Sequence, residues 1–261
     1  MIGAIIGDIV GSIYEFDNIK TKKFELFDHN CMFTDDTAMT LAIGKALIEY
    51  DGGEDFKCAL IRNMHKIGRL YPDLGYGGHF LRWLEDEDTE PYYSCGNGSA
   101  MRVSAIGWYA NSLTEVEELA KITAEITHNH PEGIKGAQAV ASAIFLARSG
   151  KSKDEIKQLI EDKYYLLNFT LDVIRPNYTY EIICQKSVPQ AIQAFLESTD
   201  FEDAIRNAIS IGGDSDTIAA ITGSIAEAYY GVPQDIKETA LSFLDEELLD
   251  IYEECADFLN R

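Results

Sequence analysis

Thr34-Asp35-Asp36-Thr37 and, 180 positions later, Asp214-Ser215-Asp216-Thr217 are the two stretches whose residue types and spacing suit them to chemistry. An apolar-periodic run follows each, so each opens a helix, and two readings compete. Capping is the simpler one, since Thr34 and Asp214 are good N-caps and first-turn acids complement the helix dipole. It accounts for one acid per helix better than for two, because neighbouring carboxylates repel unless something positive lies between them. The flanks Cys31-Met32-Phe33 and Ala208-Ile209-Ser210-Ile211 point to burial. If the two motifs met, four carboxylates would share a small volume, which is costly without compensating charge. Two divalent cations would neutralise them. Asp oxygens with Thr hydroxyls form an all-oxygen set suited to Mg²⁺ or Mn²⁺ rather than to a structural zinc.

Other residues are weaker signals taken singly. His128-Asn129-His130 is a metal pair by type, but no third soft ligand lies nearby. A loop histidine, or one that hydrogen-bonds a ligand, competes with that reading. His29, His65 and His79 fit no pattern and read as structural or surface residues. Gly75-Tyr76-Gly77-Gly78 is a turn whose backbone allows close approach of a ligand. Gly96-Asn97-Gly98-Ser99 runs into a helix through Met101, Val103 and Ile106, leaving N–H groups free at its start for an anion. Gly3, Gly7, Gly11 and Glu15 are spaced by four and form one smooth helical stripe ending in a carboxylate. Close packing explains the glycines but not Glu15.

The elements that must position these residues read as helices throughout. Ile2, Ile5, Ile6, Ile9, Val10 and Ile13 recur at 3.6-residue spacing over about four turns. A second helix follows Thr34 with Met39, Ala42, Ile43, Ala46 and Leu47 inward. Thr114-x-x-Glu117, Ser152-x-x-Glu155 and Ser187-x-x-Gln190 have the form of capping boxes. Pro131 and Gly150 bracket another helix, and Gly231 with Pro233 ends the one carrying Ile218, Ile221 and Ile225. Leu167, Phe169, Leu171 and Val173 alternate, but a lone strand has no partner, so that stretch reads as extended loop. The acidic runs Glu85–Asp88 and Asp245–Asp250 read as solvated faces. With ten or more helices, no linker and no repeat, the expectation is a single all-α domain over residues 1–261, and a monomer. Lys plus Arg is 22 against 44 for Asp plus Glu, a net charge of −22, which disfavours non-specific nucleic-acid and anionic-membrane binding. No basic segment precedes the apolar start, and no apolar run is long enough to span a bilayer. Five dispersed cysteines without a C-x-x-C suggest reduced thiols in a cytoplasmic protein.

Taken together and in order, these motifs resemble the ADP-ribosylglycohydrolase family, whose namesake bacterial members reactivate dinitrogenase reductase. The stretches carrying the resemblance run from Gly3-Ala4-Ile5-Ile6-Gly7-Asp8-x-x-Gly11-Ser12-x-x-Glu15-Phe16 through Phe33–Thr37 to Gly96-Asn97-Gly98-Ser99-Ala100-Met101-Arg102. They continue through Thr127-His128 and Val188-Pro189-Gln190-Ala191 to Gly212-Gly213-Asp214-Ser215-Asp216-Thr217. The resemblance implies an all-α multi-helix orthogonal bundle holding two Mg²⁺ or Mn²⁺ ions, and hydrolysis of the bond between C1″ of ADP-ribose and an acceptor. It implies Thr34, Asp35, Asp36, Asp214, Asp216 and Thr217 as metal ligands, with Asp216 bridging both ions, and Glu15 as a mobile acid beside them. Gly75, Tyr76, Gly77 and Gly78, with Gly96, Asn97, Gly98, Ser99 and Met101, then surround the diphosphate and distal ribose, and His128 is a ligand-side histidine. Metal-polarised water would attack, with Asp35, Asp36 or Asp214 managing the proton. The substrate would be an ADP-ribosylated protein or a small ADP-ribosyl compound. A dinuclear phosphoester hydrolase is the enzymatic alternative, and a non-catalytic ADP-ribose-binding module is the alternative from another class.

Overall fold

A computed structural model describes residues 1–86 and 90–260. Fifteen α-helices and no named strand occur among them. In chain order the first eight are α1 (Ile2–Gly11), α2 (Asp35–Asp51), α3 (Phe56–Leu70), α4 (Gly78–Glu85), α5 (Gly98–Met101), α6 (Ser104–Tyr109), α7 (Leu113–Glu125) and α8 (Pro131–Arg148). The rest are α9 (Lys153–Lys163), α10 (Leu171–Ile174), α11 (Cys184–Leu196), α12 (Phe201–Ser210), α13 (Ser215–Tyr230), α14 (Gln234–Leu241) and α15 (Glu246–Leu259).

The centre is set by α1 and α13. All ten residues of α1 are buried, as are Ser215–Ala226 of α13, because both are apolar or small on every side. Their backbones touch along the glycine stripe: a Cβ on Gly3 would lie 2.1 Å from the Gly223 carbonyl oxygen, and one on Gly7 would lie 2.1 Å from that of Ala219. Around this pair pack α2, α8, α11 and α12. No helix among the described residues is long and apolar enough to cross a membrane.

Most boundaries follow the local chemistry. Ser152 and Glu155 form the reciprocal capping box of α9. Pro131 occupies the first turn of α8, and Gly231 ends α13 with φ +73°. Two boxes are displaced. α7 is capped two residues earlier, by Ser112, whose hydroxyl accepts from Glu115 N while Glu115 accepts from Asn111 N. Ser187 lies inside α11, where its hydroxyl bonds back to the Ile183 carbonyl instead of capping. The helix after Asn97 is broken into α5 and α6 at Arg102 and Val103. The alternating stretch is loop as expected up to Thr170, but from Leu171 it forms the short α10. Asp245, Glu246, Glu247 and Asp250 are exposed, as are Glu85 and Asp86, while Glu87 and Asp88 lie outside the described residues.

Candidate active site

The glycine stripe delivers the acids. A Cβ on Gly11 would lie 2.4 Å from Asp216 Cα, so the end of α1 is held against the first turn of α13. A single 3-10 turn (Ser12–Tyr14) then carries Glu15 to the same place. One turn back on α1, the fully buried Asp8 reaches α2. Its carboxylate accepts from Thr34 N (2.9 Å), Thr34 Oγ1 (2.6 Å), Thr37 N (3.1 Å) and Thr37 Oγ1. Thr34 also caps α2 by accepting from Asp36 N at 3.3 Å. The α2 and α13 motifs meet directly, where Thr217 Oγ1 donates to Asp36 Oδ2 at 3.1 Å.

The approach to α13 is locked by its own loop. Gly212 and Gly213 adopt φ +66° and +85°, and Cβ atoms there would strike Lys20 Nζ and the Tyr178 ring. Asn18 clasps Gly213, donating to its carbonyl (2.9 Å) and accepting from its N–H (2.7 Å). Asp214 occupies the N-cap position but makes no cap bond. Instead Asn97 Nδ2 donates to Asp214 Oδ2 at 2.6 Å. Asn97 is itself placed by its N–H bond to the Ile182 carbonyl, next to the isolated bridge between Gly96 and Ile183. Capping therefore explains Thr34 but not Asp214.

Two carboxylate groups result. Oxygens of Asp8, Asp36 and Asp216 all lie within 4.8 Å of one another, as do oxygens of Glu15, Asp214 and Asp216. Asp216 is common to both. Burial, reinforced by the neighbouring acids, raises Asp35, Asp36 and Asp216 well above the usual carboxylate range. Burial also moves Asp8 and Asp214 up to about 6, opposed in each by the hydrogen bonds just described. Glu15 is raised by burial, against a 2.8 Å hydrogen bond from Tyr180. Asp36 Oδ1 is buried with no hydrogen-bond partner. Crowded acids with an orphaned oxygen are what a site for divalent cations requires, so the donor set fits such ions.

Above the acids is a cleft of about 320 Å³. Glu15, Asp35, Asp36, Asp214, Asp216 and Thr217 line it, together with Gly75, Gly77, Gly78, Gly96, Asn97, Gly98, Met101 and His128. Gly75 has φ +91°, and a Cβ on Gly77 or Gly78 would meet nothing within 4 Å, so these two glycines leave open space. Tyr76, Ser99 and Thr34 are not brought to the wall. Tyr76 is buried and stacks on Phe80, Ser99 donates from the core to the Gly133 carbonyl, and Thr34 gives its proton to Asp8. His130 caps α8, accepting from Glu132 N at 3.0 Å.

Further residues at the cleft or the acids lie outside the sequence expectations, among them Asp8, Tyr180 and Arg102, and His79, expected to be structural or surface, lines the cleft. Asp8 had a signal, a lone carboxylate in an otherwise apolar helix. Tyr180, on the rim and stacked on the 85% exposed Phe16, belongs to no pattern, while Arg102, buried in the wall, closes the Gly96–Arg102 stretch without a role read for it.

The chain is 29% identical to ADP-ribosylhydrolase ARH3 of Homo sapiens over 313 residues, spanning 90% of this chain and 85% of that protein. It is 30% identical over 295 residues to an uncharacterised protein of Archaeoglobus fulgidus, covering 97% and 94%. A solved structure described as an ADP-ribosylglycohydrolase-related protein complex shares the fold, with TM-score 0.71 and 22% identity over 96% of this chain and 94% of that one. The family model for ADP-ribosylglycohydrolase matches residues 1–260. Nearly the whole chain is matched, including both acidic motifs and the helices that join them, and the chain belongs to the ADP-ribosylglycohydrolase family of enzymes.

Proposed function

We propose that Thr34, Asp35, Asp36, Asp214, Asp216 and Thr217 hold two Mg²⁺ or Mn²⁺ ions, and that the protein hydrolyses the C1″ bond between ADP-ribose and an acceptor, releasing ADP-ribose. The observation that carries this is Asp216, shared by two carboxylate groups beneath a cleft walled by glycine loops. Such ions, when bound, neutralise the acids and supply an activated water. The chain's own residues do the rest. Gly75, Gly77 and Gly78, with Gly96, Asn97, Gly98 and Met101, let the diphosphate and distal ribose approach the backbone closely. Tyr76 and Ser99 support these loops from behind. Asp35, Asp36 or Asp214 takes the proton, and burial among like charges favours the protonated form of each. Glu15 positions the substrate from the rim, and the clustered carboxylates favour the oxocarbenium-like transition state. Arginine, serine and small acyl groups are the acceptors to compare.

The deciding experiment offers arginine-linked, serine-linked and O-acetyl-ADP-ribose to the protein with Mg²⁺, Mn²⁺ or chelator, and separates the products by chromatography. ADP-ribose released only with metal supports the reading and identifies the linkage. AMP or free phosphate as the sole product overturns it in favour of a phosphoester hydrolase. Binding without turnover leaves a reader module.

A further inference from the structure

Arg102 is the only lysine or arginine among the described residues that line a cleft bearing five carboxylates, and it is 1% exposed. No carboxylate pairs with it among the described residues. Its Nη2 donates to the Thr123 carbonyl (2.9 Å) and to Thr127 Oγ1 (2.8 Å), the Phe80 ring lies 6.0 Å away, and its Nε has no partner. Burial lowers its pKa to about 10, which leaves it a cation at neutral pH. Thr127 Oγ1 in turn lies 2.7 Å from His128 Nδ1. The other ring nitrogen of His128 faces the glycine loop: Cβ atoms on Gly98 and Gly96 would sit 3.2 and 3.4 Å from Nε2.

The proton arrangement of this chain follows from donor arithmetic. A guanidinium only donates, so the Thr127 oxygen must accept from it. The Thr127 proton is then free for His128 Nδ1, and the bonds run head to tail outward from a buried cation, each polarising the next. The opposite tautomer would aim a ring N–H at an oxygen already loaded by a guanidinium. Burial and the nearby Arg102 charge hold His128 well below its usual pKa, so the ring is neutral and carries a single proton.

We infer that Arg102 and Thr127 are positioning residues that hold His128 as the Nε2–H tautomer, presenting a fixed hydrogen-bond donor to a ligand oxygen at the Gly96–Gly98 loop. With ADP-ribose as that ligand, the inference rests on the proposed function. A phosphate or ribose oxygen accepts from such a donor, whereas a donor-only group there meets another donor.

Long-range ¹⁵N–¹H spectra of the imidazoles read the tautomer directly, and a His128→Gln variant identifies which of the five histidine patterns is lost. In wild type His128 should be the neutral Nε2–H form. Thr127→Val should scramble or invert it and raise the ADP-ribose Kd about tenfold, while Mg²⁺ affinity stays the same. Thr127→Ser should restore both the spectrum and the Kd. An Nδ1–H tautomer in wild type, or a Thr127→Val protein with unchanged spectrum and affinity, overturns the relay. If wild type binds no ADP-ribose, the functional reading falls, and the spectra still decide the relay.

Discussion

Asp8 illustrates how a carboxylate serves a cluster without lining the cleft. Its four hydrogen bonds fix the Thr34 hydroxyl and the first turn of α2, and through them the Asp35 and Asp36 side chains. In Asp8→Asn an amide NH₂ must face at least one of those donors. The expected loss is about 1–3 kcal/mol of stability in denaturant titration, and metal affinity about 10–100-fold weaker by calorimetry. Unchanged metal affinity would reduce Asp8 to a packing residue. The Glu15 carboxylate accepts from Tyr180 at the rim, so Glu15→Gln should lower turnover about a hundredfold and leave metal affinity nearly intact. A parallel fall in metal affinity would make Glu15 a ligand. The paired acids of both motifs were legible in the sequence because capping needs only one acid per helix. Asp8 was half-legible, as a charge within an isoleucine-rich run. Arg102 and Tyr180 were not, because their roles exist only once α5, α7, α8 and the loop before α11 converge.

At the scale of elements, two sets of glycines do opposite work. Those of α1 are filled by α13, whereas Gly77 and Gly78 at the start of α4 face open space. Gly7→Ala places a methyl against the Ala219 carbonyl and should cost about 3 kcal/mol or more, with metal binding lost as Asp8 moves away from Asp216. Gly77→Val should fold and bind metal normally, yet bind ADP-ribose about tenfold more weakly. Melting curves with parallel calorimetry separate the two, and a stable Gly7→Ala protein would deny that the stripe holds the site. The four-residue spacing made the tight helix pair readable in advance. Capping boxes were less dependable, since Ser112 and Thr114 offer the same signal two residues apart and only the N–H left unpaired at the true helix start selects between them. Ser187 failed for a related reason: a hydroxyl that can bond Ile183 from inside α11 looks the same in the sequence as one that caps.

For the molecule as a whole, the proposed cation site and the buried acids should make stability depend on cations and on pH. Mg²⁺ or Mn²⁺ should stabilise the fold by about 2.7 kcal/mol at a hundredfold excess over its Kd. The pH sign follows from Asp214, which titrates at about 6 when folded against an ordinary value of 3.8. Between these values the folded chain holds more protons than the unfolded chain, so the Asp214 contribution falls as pH rises through that window. In chelator, Asp214→Asn should gain on wild type from about pH 4 to about pH 6 and hold that gain above. In Mg²⁺ the order should reverse. Urea titrations across that range check both, and a pH-independent difference in chelator would mean that the carboxylate is not buried among like charges. The contact between α1 and α13 also sets a timetable. Gly3 and Glu227, hydrogen-bonded in the folded protein, are 224 positions apart. At ribosomal rates of about 5–20 residues per second, α1 waits roughly 10–45 s for its partner to be made. Through most of that interval the face of the isoleucine-rich helix that meets α13 is uncovered, and Asp214 and Asp216 have not yet been synthesised. The acidic cluster is therefore among the last parts of the protein to be completed, because its α13 members follow its α1 and α2 members by about 180 residues or more.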